Sequence, residues 1–265
     1  MSVPRVFDQQ HYELLNRARW EAVSPLLAEL KPKLGLSTAL DVGCGVGYFS
    51  QLLNESGFEV TAVDGRAESV EEAGKRVSGV RLHTANVEDV ALRSLGKFDL
   101  VFCFGLLYHL ENPFQTIRHL HAMTGSLLLA EGLIYPGDEP VMGLIDEPSS
   151  EDQGLRHVAF YPTESCLTKM MYQAGYACVY RFAVTADHPE YRDSGRRRKN
   201  RTMLAGSREH IVSRLLVEMV EPRNSIKPWI VNSNNRRNPI AKLRRFLKKP
   251  MLEKVAALKR LWTLP

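Results

Sequence analysis

Residues 39–50 constrain the fold of this chain more than any other segment. They read Ala-Leu-Asp-Val-Gly-Cys-Gly-Val-Gly-Tyr-Phe-Ser, an apolar run followed by three alternating glycines and the start of a helix-like run. Gly43, Gly45 and Gly47 favour a sharp turn against which a ligand can press, because glycine has no Cβ atom. The backbone amides that open the following helix would then face that ligand. A tight turn without a ligand is the alternative, but one glycine would be enough for it.

The chain up to residue 208 alternates strand-like and helix-like runs. The strand-like runs are Ala39–Val42, Glu59–Val63, Val80–Thr84, Phe98–Phe102 and Ser126–Glu131, and the helix-like runs between them are Tyr48–Ser56, Ala67–Val77, Val87–Ser94 and Pro113–Met123. Apolar strands that alternate with helices predict a parallel sheet covered on both faces. Two further strands, Tyr176–Val184 and Arg201–Ser207, follow in succession and predict an antiparallel hairpin at one edge of the sheet.

We divide the chain into a helical cap (1–36), an α/β domain (37–208) and a C-terminal extension (209–265). The cap contains an amphipathic helix from His11 to Leu30, which Pro32 and Gly35 are expected to end. Within the α/β domain, prolines and glycines interrupt residues 132–161, which we name the lid segment. A long irregular connection after the fifth strand lies over the carboxyl edge of the sheet, where ligands bind, and we interpret it as a substrate lid.

Charge is distributed unevenly along the chain. Residues 209–265 carry 13 Lys and Arg against 4 Asp and Glu, which leaves 22 basic and 26 acidic residues in the rest of the chain. Residues 238–262 form two basic helix-like pieces with an apolar stripe, a pattern typical of binding to an anionic membrane surface. Packing of the stripe on the protein itself and binding of RNA are the alternatives. RNA is disfavoured because few aromatic residues are interleaved with the basic ones.

Composition favours a soluble enzyme of the cytoplasm, with peripheral association to the inner face of the membrane as an option. No apolar run approaches the roughly 18 residues that a membrane span needs, and the first residues lack the apolar stretch of a signal peptide. The four cysteines have no C-x-x-C spacing, so neither a disulfide framework nor a zinc site is indicated.

The order of the acidic residues around the glycines carries a family resemblance. Asp41 precedes the glycines and Asp64 follows the next strand-like run, whereas a nicotinamide-binding turn reads Gly-x-Gly-x-x-Gly. The pattern resembles motif I of the class I S-adenosylmethionine (SAM) dependent methyltransferases, and the likeness extends over residues 38–208. It implies SAM as the cofactor and an α/β, doubly wound, mostly parallel, seven-stranded Rossmann-like sheet with an antiparallel edge hairpin.

The chemistry of SAM assigns roles to the residues near motif I. Asp41 is expected to contact the methionine end, directly or through water, and Asp64 to accept two hydrogen bonds from the ribose diol. Capping of the next helix is a compatible structural role for Asp64. Asn86 and Val87 are expected to bracket adenine, with a surface turn as the alternative. The predicted cofactor-binding residues are Asp41, Gly43, Cys44, Gly45, Gly47, Asp64, Asn86, Val87 and Phe104.

The predicted catalytic residues are Tyr108, His109 and His157. Tyr108 and His109 follow the fourth strand, which places them at the carboxyl edge of the sheet near the methyl group. A hydroxyl acceptor must lose a proton, and His109 is the leading candidate for the base; a purely structural histidine is the alternative. His157 and Tyr161 are expected to line the acceptor pocket, together with Glu131, Asp146 and Glu147. No spacing indicates a metal site.

A narrower resemblance runs from Phe104 to Gly175. Gly-Leu-Leu-Tyr-His-x-x-x-Pro, Tyr-Pro-Gly-Asp and Arg-His-Val-x-Phe-x-Pro are similar to the group containing the tRNA wobble-uridine carboxymethyltransferase. That resemblance implies a carboxylated SAM held by basic residues and by the tyrosine matching Tyr108, with Arg201 matching a late-strand arginine. The sequence has no counterpart of the amino-terminal region that supplies another basic contact in that group, so we predict ordinary SAM.

The predicted activity is methyl transfer by in-line displacement, in which alignment of acceptor and donor supplies much of the rate. The predicted acceptor is a hydroxyl group on a glycan, a lipid-linked compound or a small molecule. A tRNA wobble-uridine modifying enzyme is the alternative. Two rivals come from other classes, a nicotinamide oxidoreductase and a non-catalytic adaptor with a SAM-binding fold. The sequence does not set the oligomeric state.

Overall fold

The computed structural model describes residues 6–148, 150, 153–193 and 199–223. The predicted basic amphipathic segment, residues 238–262, lies outside these described residues. Within them, no helix combines the length and the apolar character that crossing a membrane requires.

An eight-stranded sheet forms the centre of the fold, and a separate two-stranded sheet lies in the lid segment. The strands are β1 (Thr38–Val42), β2 (Glu59–Asp64), β3 (Arg81–Thr84), β4 (Phe98–Phe104), β5 (Thr124–Leu133), β6 (Met142–Asp146), β7 (Val158–Pro162), β8 (Cys178–Phe182), β9 (Arg201–Ser207) and β10 (Leu216–Met219). The large sheet has the order β10-β8-β9-β5-β4-β1-β2-β3. Strands β3, β2, β1, β4 and β5 are parallel neighbours, whereas β9 is antiparallel to both β5 and β8.

In the described part of the chain, five α-helices connect or cover the strands. They are α1 (Gln10–Leu34), α2 (Tyr48–Glu55), α3 (Ala67–Arg76), α4 (Pro113–Met123) and α5 (Glu164–Ala174). Helix α1 continues past Pro32, which was expected to end it, and stops at Gly35 in a left-handed conformation with φ of 62°. Proline removes one helical hydrogen bond and crowds the preceding turn, yet α1 contains both Pro25 and Pro32.

Two apolar layers cover the two faces of the large sheet. Along β4, Leu100 and Phe102 pack with the layer that contains α1 and α2. Val101 and Cys103 alternate with them and pack with the layer that contains α4 and α5. This arrangement follows from the two-residue period of a strand, which sends successive side chains to opposite faces. The fold is therefore doubly wound, as the alternating pattern predicts.

The strand order reverses between β1 and β4. From β1 the chain proceeds outward to β2 and β3, and then returns to the other side of β1 as β4. In open α/β sheets, ligands bind in the crevice at the carboxyl ends of strands where the order reverses. The turn that follows β1 and the turn that follows β4 both lie at this position.

The predicted mostly parallel sheet with an antiparallel edge hairpin is confirmed, but two features differ from expectation. The sheet has eight strands rather than seven, because β10, from within the predicted extension, pairs antiparallel with β8. The lid segment is also not irregular throughout: β6 and β7 pair as an antiparallel hairpin. Glycine and proline near these two strands obscured them, although Met-Gly-Leu-Ile-Asp and Val-Ala-Phe-Tyr-Pro contain the apolar residues that strands favour.

Candidate active site

The three alternating glycines form the turn between β1 and α2. Gly43, Gly45 and Gly47 have φ values of 75°, 52° and 88°, in the left-handed region that side chains with a Cβ rarely adopt. The N–H groups of Gly43 and Cys44 donate to the carbonyl oxygen of Val63 at 2.9 and 3.0 Å. Hydrogen bonds between backbone groups therefore tie the turn to the neighbouring strand β2.

Asp64, at the end of β2, fixes the same turn through its carboxylate. Its Oδ2 accepts the N–H of Gly45 at 2.9 Å, and its Oδ1 accepts the N–H of Arg66 at 2.8 Å. Burial raises the pKa of Asp64 above its usual value, although these two hydrogen bonds oppose the shift. Each carboxylate oxygen has a second lone pair, so Asp64 can still accept hydrogen bonds from a diol.

A cavity of about 620 Å³ lies beside this turn. Its volume falls within the roughly 300–1,000 Å³ that is typical of small-molecule sites. It is lined by the glycine turn, the ends of β2 and β4, the start of α1 and part of the lid segment. The predicted cofactor residues that line it are Gly43, Cys44, Gly45, Gly47, Asp64, Asn86, Val87 and Phe104.

Asp41, which was expected to contact the methionine end directly or through water, is not among the residues that line the cavity. The side chain is 2% exposed, and its Oδ2 accepts a hydrogen bond from the Ser50 hydroxyl at 2.5 Å. Burial raises the pKa of Asp41 to about 7. The carboxylate therefore lies behind the turn and connects β1 to α2. The sequence showed an acid at the end of a strand, but not which side of the turn its side chain takes.

Asn86 and Val87, at the predicted adenine position, line the cavity together with Leu155 of the lid segment. The side-chain oxygen of Asn86 accepts the N–H of Glu88 at 3.1 Å, and the side-chain NH2 group of Asn86 has no partner among the described residues. Val87 is buried. From the lid segment, Leu155 packs over Gly65, where a Cβ atom would lie 2.5 Å from Leu155 Cδ1. The lid segment thus contacts the cofactor side of the cavity directly.

His109 and Glu147 form a close pair at the edge of the cavity. The Nδ1 atom of His109 lies 2.6 Å from Oε1 of Glu147, and the two side chains are 10% and 2% exposed. Oε2 of Glu147 accepts the N–H of Gly154 at 3.0 Å. Both oxygens of this buried carboxylate are therefore hydrogen-bonded. Tyr108 and His109 line the cavity, as predicted.

His157, one of the predicted catalytic residues, is not among the residues that line the cavity. It is an exposed residue just before β7, and its carbonyl oxygen accepts the N–H of Glu147 at 2.9 Å. Tyr161 does line the cavity, with its ring 5.6 Å from that of Tyr108 in an edge-to-face arrangement. Arg156, the neighbour of His157, lines the cavity as well, so His157 alone of this pair lies away from it. Asp146 is exposed as well.

A buried charged network forms the wall of the cavity next to Tyr108. Glu131 lies 2.8 Å from Arg19 and 3.1 Å from Arg201, and it accepts the hydroxyl of Tyr191 at 2.6 Å. Burial alone would raise the pKa of Glu131, but the two guanidinium groups outweigh it and lower the pKa. The guanidinium of Arg201 also lies 5.6 Å from the centre of the Tyr108 ring. Arg19 and Arg201 both line the cavity.

Sequence reasoning missed Arg19, Arg66 and Tyr191. Arg19 had a usable signal: it lies four residues after Leu15 and four before Val23, both buried in α1, and a charged residue on an apolar helical face needs a buried partner. Arg66 and Tyr191 had no comparable signal, because their contacts are made with segments distant in sequence. Among the described residues, no group of three or more histidine, cysteine, aspartate or glutamate residues is placed to hold a metal ion.

Comparison with known proteins assigns the family. A sequence profile described as "Methyltransferase domain" matches residues 14–181, more than half of the chain. The chain belongs to this methyltransferase domain family, and the predicted class of SAM-dependent methyltransferase is confirmed.

Several similar proteins share the name tRNA U34 carboxymethyltransferase. The tRNA U34 carboxymethyltransferase of Actinobacillus succinogenes is 29% identical over 167 residues, which cover 60% of this chain and 49% of that protein. The enzyme of the same name from Shewanella loihica is 31% identical over 170 residues, with 61% and 49% covered. The chain thus spans about half the length of the curated relatives it matches.

Solved structures support the fold. The N-terminal domain of EvdMO1, crystallised in the presence of S-adenosylhomocysteine (SAH) and D-fucose, superposes with a TM-score of 0.54 at 22% identity, with 76% of this chain and 84% of that chain covered. Magnesium protoporphyrin IX methyltransferase from Synechocystis PCC 6803, with bound SAM, gives a TM-score of 0.51 at 18% identity, with 78% and 87% covered. At these identities the likeness concerns the fold.

Proposed function

We propose that this protein transfers the methyl group of SAM to a hydroxyl group of a small-molecule, glycan or lipid-linked acceptor, with His109 as the base. The observation that carries the proposal is the contact between His109 Nδ1 and Glu147 Oε1 at 2.6 Å. A base is needed for a hydroxyl acceptor, because the oxygen must lose its proton as it attacks.

The residues around the cavity fit SAM. The positive φ values at the glycine turn leave backbone, rather than side chains, facing a ligand, and Asp64 lines the cavity with lone pairs that suit a ribose diol. When bound there, SAM supplies an electrophilic methyl group. The protein's part is to hold the sugar and the adenine and to keep the acceptor aligned.

Glu147 determines which nitrogen of His109 carries the hydrogen. An ionised carboxylate only accepts hydrogen bonds, so Nδ1 carries the hydrogen and Nε2 keeps its lone pair. Among the described residues, Nε2 of His109 has no hydrogen-bond partner. This is the arrangement in which a carboxylate orients a histidine and stabilises the imidazolium that forms after proton transfer.

Carboxymethyl transfer to tRNA wobble uridine is the second candidate. It is supported by the names of the similar enzymes and by the position of Arg19, Arg201 and Tyr108 along one wall of the cavity. A carboxylated cofactor would add an anion beside the two arginines. However, Glu131 already lies between them and Glu190 forms an ion pair with Arg201. This charge balance favours the uncharged methyl group of ordinary SAM.

Binding and transfer experiments on the full chain test both candidates. Calorimetry with SAM and SAH measures cofactor binding, and mass spectrometry identifies any cofactor that co-purifies. SAM labelled in its methyl group is then incubated with separate lipid, small-molecule and RNA fractions of the source cells. His109→Gln is compared with His83→Gln, which changes an exposed histidine on the edge strand β3.

The first proposal is supported if wild type and His83→Gln transfer label to the lipid or small-molecule fraction and His109→Gln does not. A co-purified carboxylated SAM, with modification only in the RNA fraction, replaces it with the second. Absence of heat with both SAM and SAH contradicts both candidates.

A further inference from the structure

A continuous series of contacts connects the cofactor side of the cavity to His109, and Arg66 lies at its centre. The backbone N–H of Arg66 donates to Asp64, the residue proposed to bind the ribose. The side chain of Arg66 reaches in the other direction, into the lid segment. Arg66 itself also lines the cavity. The inference below rests on the proposed function, because it concerns the support of the proposed base.

The guanidinium group of Arg66 binds the backbone of the lid segment. The carbonyl oxygens of Ser150, Gln153 and Gly154 lie 3.1, 3.1 and 2.9 Å from its Nη2 atom. This nitrogen has two hydrogens, which are shared among the three acceptors. Charge-assisted hydrogen bonds of this type are stronger than neutral ones, so Arg66 is well suited to fix the lid segment.

Gly154 joins this anchor to the base. Its carbonyl oxygen accepts from Arg66, and its N–H donates to Glu147 Oε2 at 3.0 Å. A Cβ atom at Gly154 would lie 2.4 Å from the carbonyl oxygen of His109 and 3.0 Å from Glu147 Oε2. No larger residue can therefore take this position without displacing the pair that it supports.

We infer that Arg66 is a positioning residue for the proposed reaction. By holding Gly154 it holds Glu147, and Glu147 selects the tautomer of His109 that leaves Nε2 free to accept a proton. The same residue donates to the carboxylate at the ribose position. The cofactor site and the base are thus supported by one residue rather than by two independent parts of the fold.

The test measures the tautomer of His109 directly, without an acceptor. Histidine nitrogens are labelled with ¹⁵N in the full chain, and correlation spectra are recorded across pH with and without SAH. His109→Gln assigns the signal among the eight histidines of the chain. The variants are Arg66→Met, Arg66→Lys and Gly154→Ala. Arg81→Met is the matched control, because Arg81 is an exposed arginine on β3 that pairs with Glu59.

We expect wild type and Arg81→Met to show His109 with hydrogen on Nδ1 near neutral pH. Arg66→Met and Gly154→Ala should both show a mixture of tautomers, and Arg66→Lys should lie between them and wild type. With an acceptor from the labelled fractions, Arg66→Met should lower kcat by about 100-fold, because displacement of a reacting group by about 1 Å has that effect. The KM for SAM should change by less than about fivefold. Loss of the cofactor site would instead raise KM, so a fall in kcat alone separates the two causes.

If His109 in folded Arg66→Met protein has the same tautomer as in wild type at every pH measured, the inference is wrong. If Arg66→Met does not fold, Arg66→Lys decides by the same spectra. Failure of the proposed function is a distinct result: wild type gives no heat with SAH, whatever the tautomer of His109.

Discussion

The two ends of the cavity are built from different kinds of interaction. At the glycine turn, backbone groups make most of the contacts, and Asp64 reaches a residue only 19 positions away. At the other end, side chains make the contacts: His109 meets Glu147 across 38 positions, and Arg66 meets Gly154 across 88. The comparison shows how one site combines a locally encoded part with a part assembled by the tertiary fold.

The difference predicts how each end responds to mutation. A backbone-built turn is sensitive to glycine replacement, whereas side-chain contacts can be removed singly without disturbing the backbone. Mutations at the two ends should therefore separate cofactor binding from transfer.

Glu147→Gln should lower kcat by roughly 1,000-fold, because the amide no longer fixes the tautomer of His109 or stabilises its charged form. The Kd for SAH should stay within about threefold of wild type. Steady-state rates with labelled SAM and calorimetry measure the two quantities. Asp146→Asn, which changes the exposed neighbouring carboxylate, is the control and should retain activity. Equal losses of SAH affinity and of rate in Glu147→Gln would contradict the separation of the two ends.

Asp64→Asn should weaken SAH binding by about 100-fold, because charge-assisted hydrogen bonds contribute roughly 1.5–3 kcal/mol each. The replacement keeps the size of the side chain but leaves one acceptor oxygen for Gly45, Arg66 and the ligand. The tautomer of His109 should stay that of wild type. Calorimetry with SAH measures the loss, and affinity equal to that of wild type would remove Asp64 from the proposed ribose contact.

Gly47→Ala should lower the free energy of unfolding by about 2–4 kcal/mol, through backbone strain and a steric clash together. A Cβ atom at Gly47 would lie 2.7 Å from Val77 Cγ1. Gly35→Ala is the matched control, since Gly35 is also left-handed, with a φ of 62°, and no atom of the described residues lies within 4 Å of the position that a Cβ atom would take. It should lose only about 1–2 kcal/mol. Urea unfolding measures both. Equal losses would show that the close approach at Gly47 has no energetic effect.

Asp41 should make stability depend on pH near neutrality. Its pKa is raised to about 7 in the folded protein, so the folded state binds more protons than the unfolded state and stability decreases as pH rises through 7. Between pH 6 and pH 8 the loss, measured by urea unfolding, should be about 1 kcal/mol. Asp41→Asn should remove this slope. Asp99→Asn should retain the slope. Partial burial raises the pKa of Asp99, but hydrogen bonds outweigh it and hold the pKa below its usual value, so Asp99 does not contribute to a slope near neutral pH.

The sequence was sufficient to predict the parallel sheet, its edge hairpin and the position of most of the predicted cofactor residues beside the cavity. Motif I and Asp64 lie in one β-α-β unit, so strand periodicity and glycine spacing determine where they meet. Tyr108 and His109 were also placed correctly, because they follow directly from the end of β4. These residues occupy positions that local sequence fixes.

Residues whose neighbours come from distant segments could not be predicted. His157 and Tyr161 were both expected to line the acceptor pocket, but only Tyr161 lines the cavity. Glu147 was one of several carboxylates named for the acceptor pocket, and its contact with His109 depends on the return path of the lid segment. Neither hydrophobic periodicity nor spacing carries information about that path.

Helix α1 has a consequence for dissecting the protein. Arg19 enters the interior from this helix and neutralises part of the charge of Glu131, whose side chain is wholly inaccessible to solvent. A fragment that starts after α1 would leave this carboxylate with one cation fewer, and breaking a buried ion pair typically costs about 3–5 kcal/mol. Shortened forms of the protein should therefore retain α1, whatever the size of the acceptor.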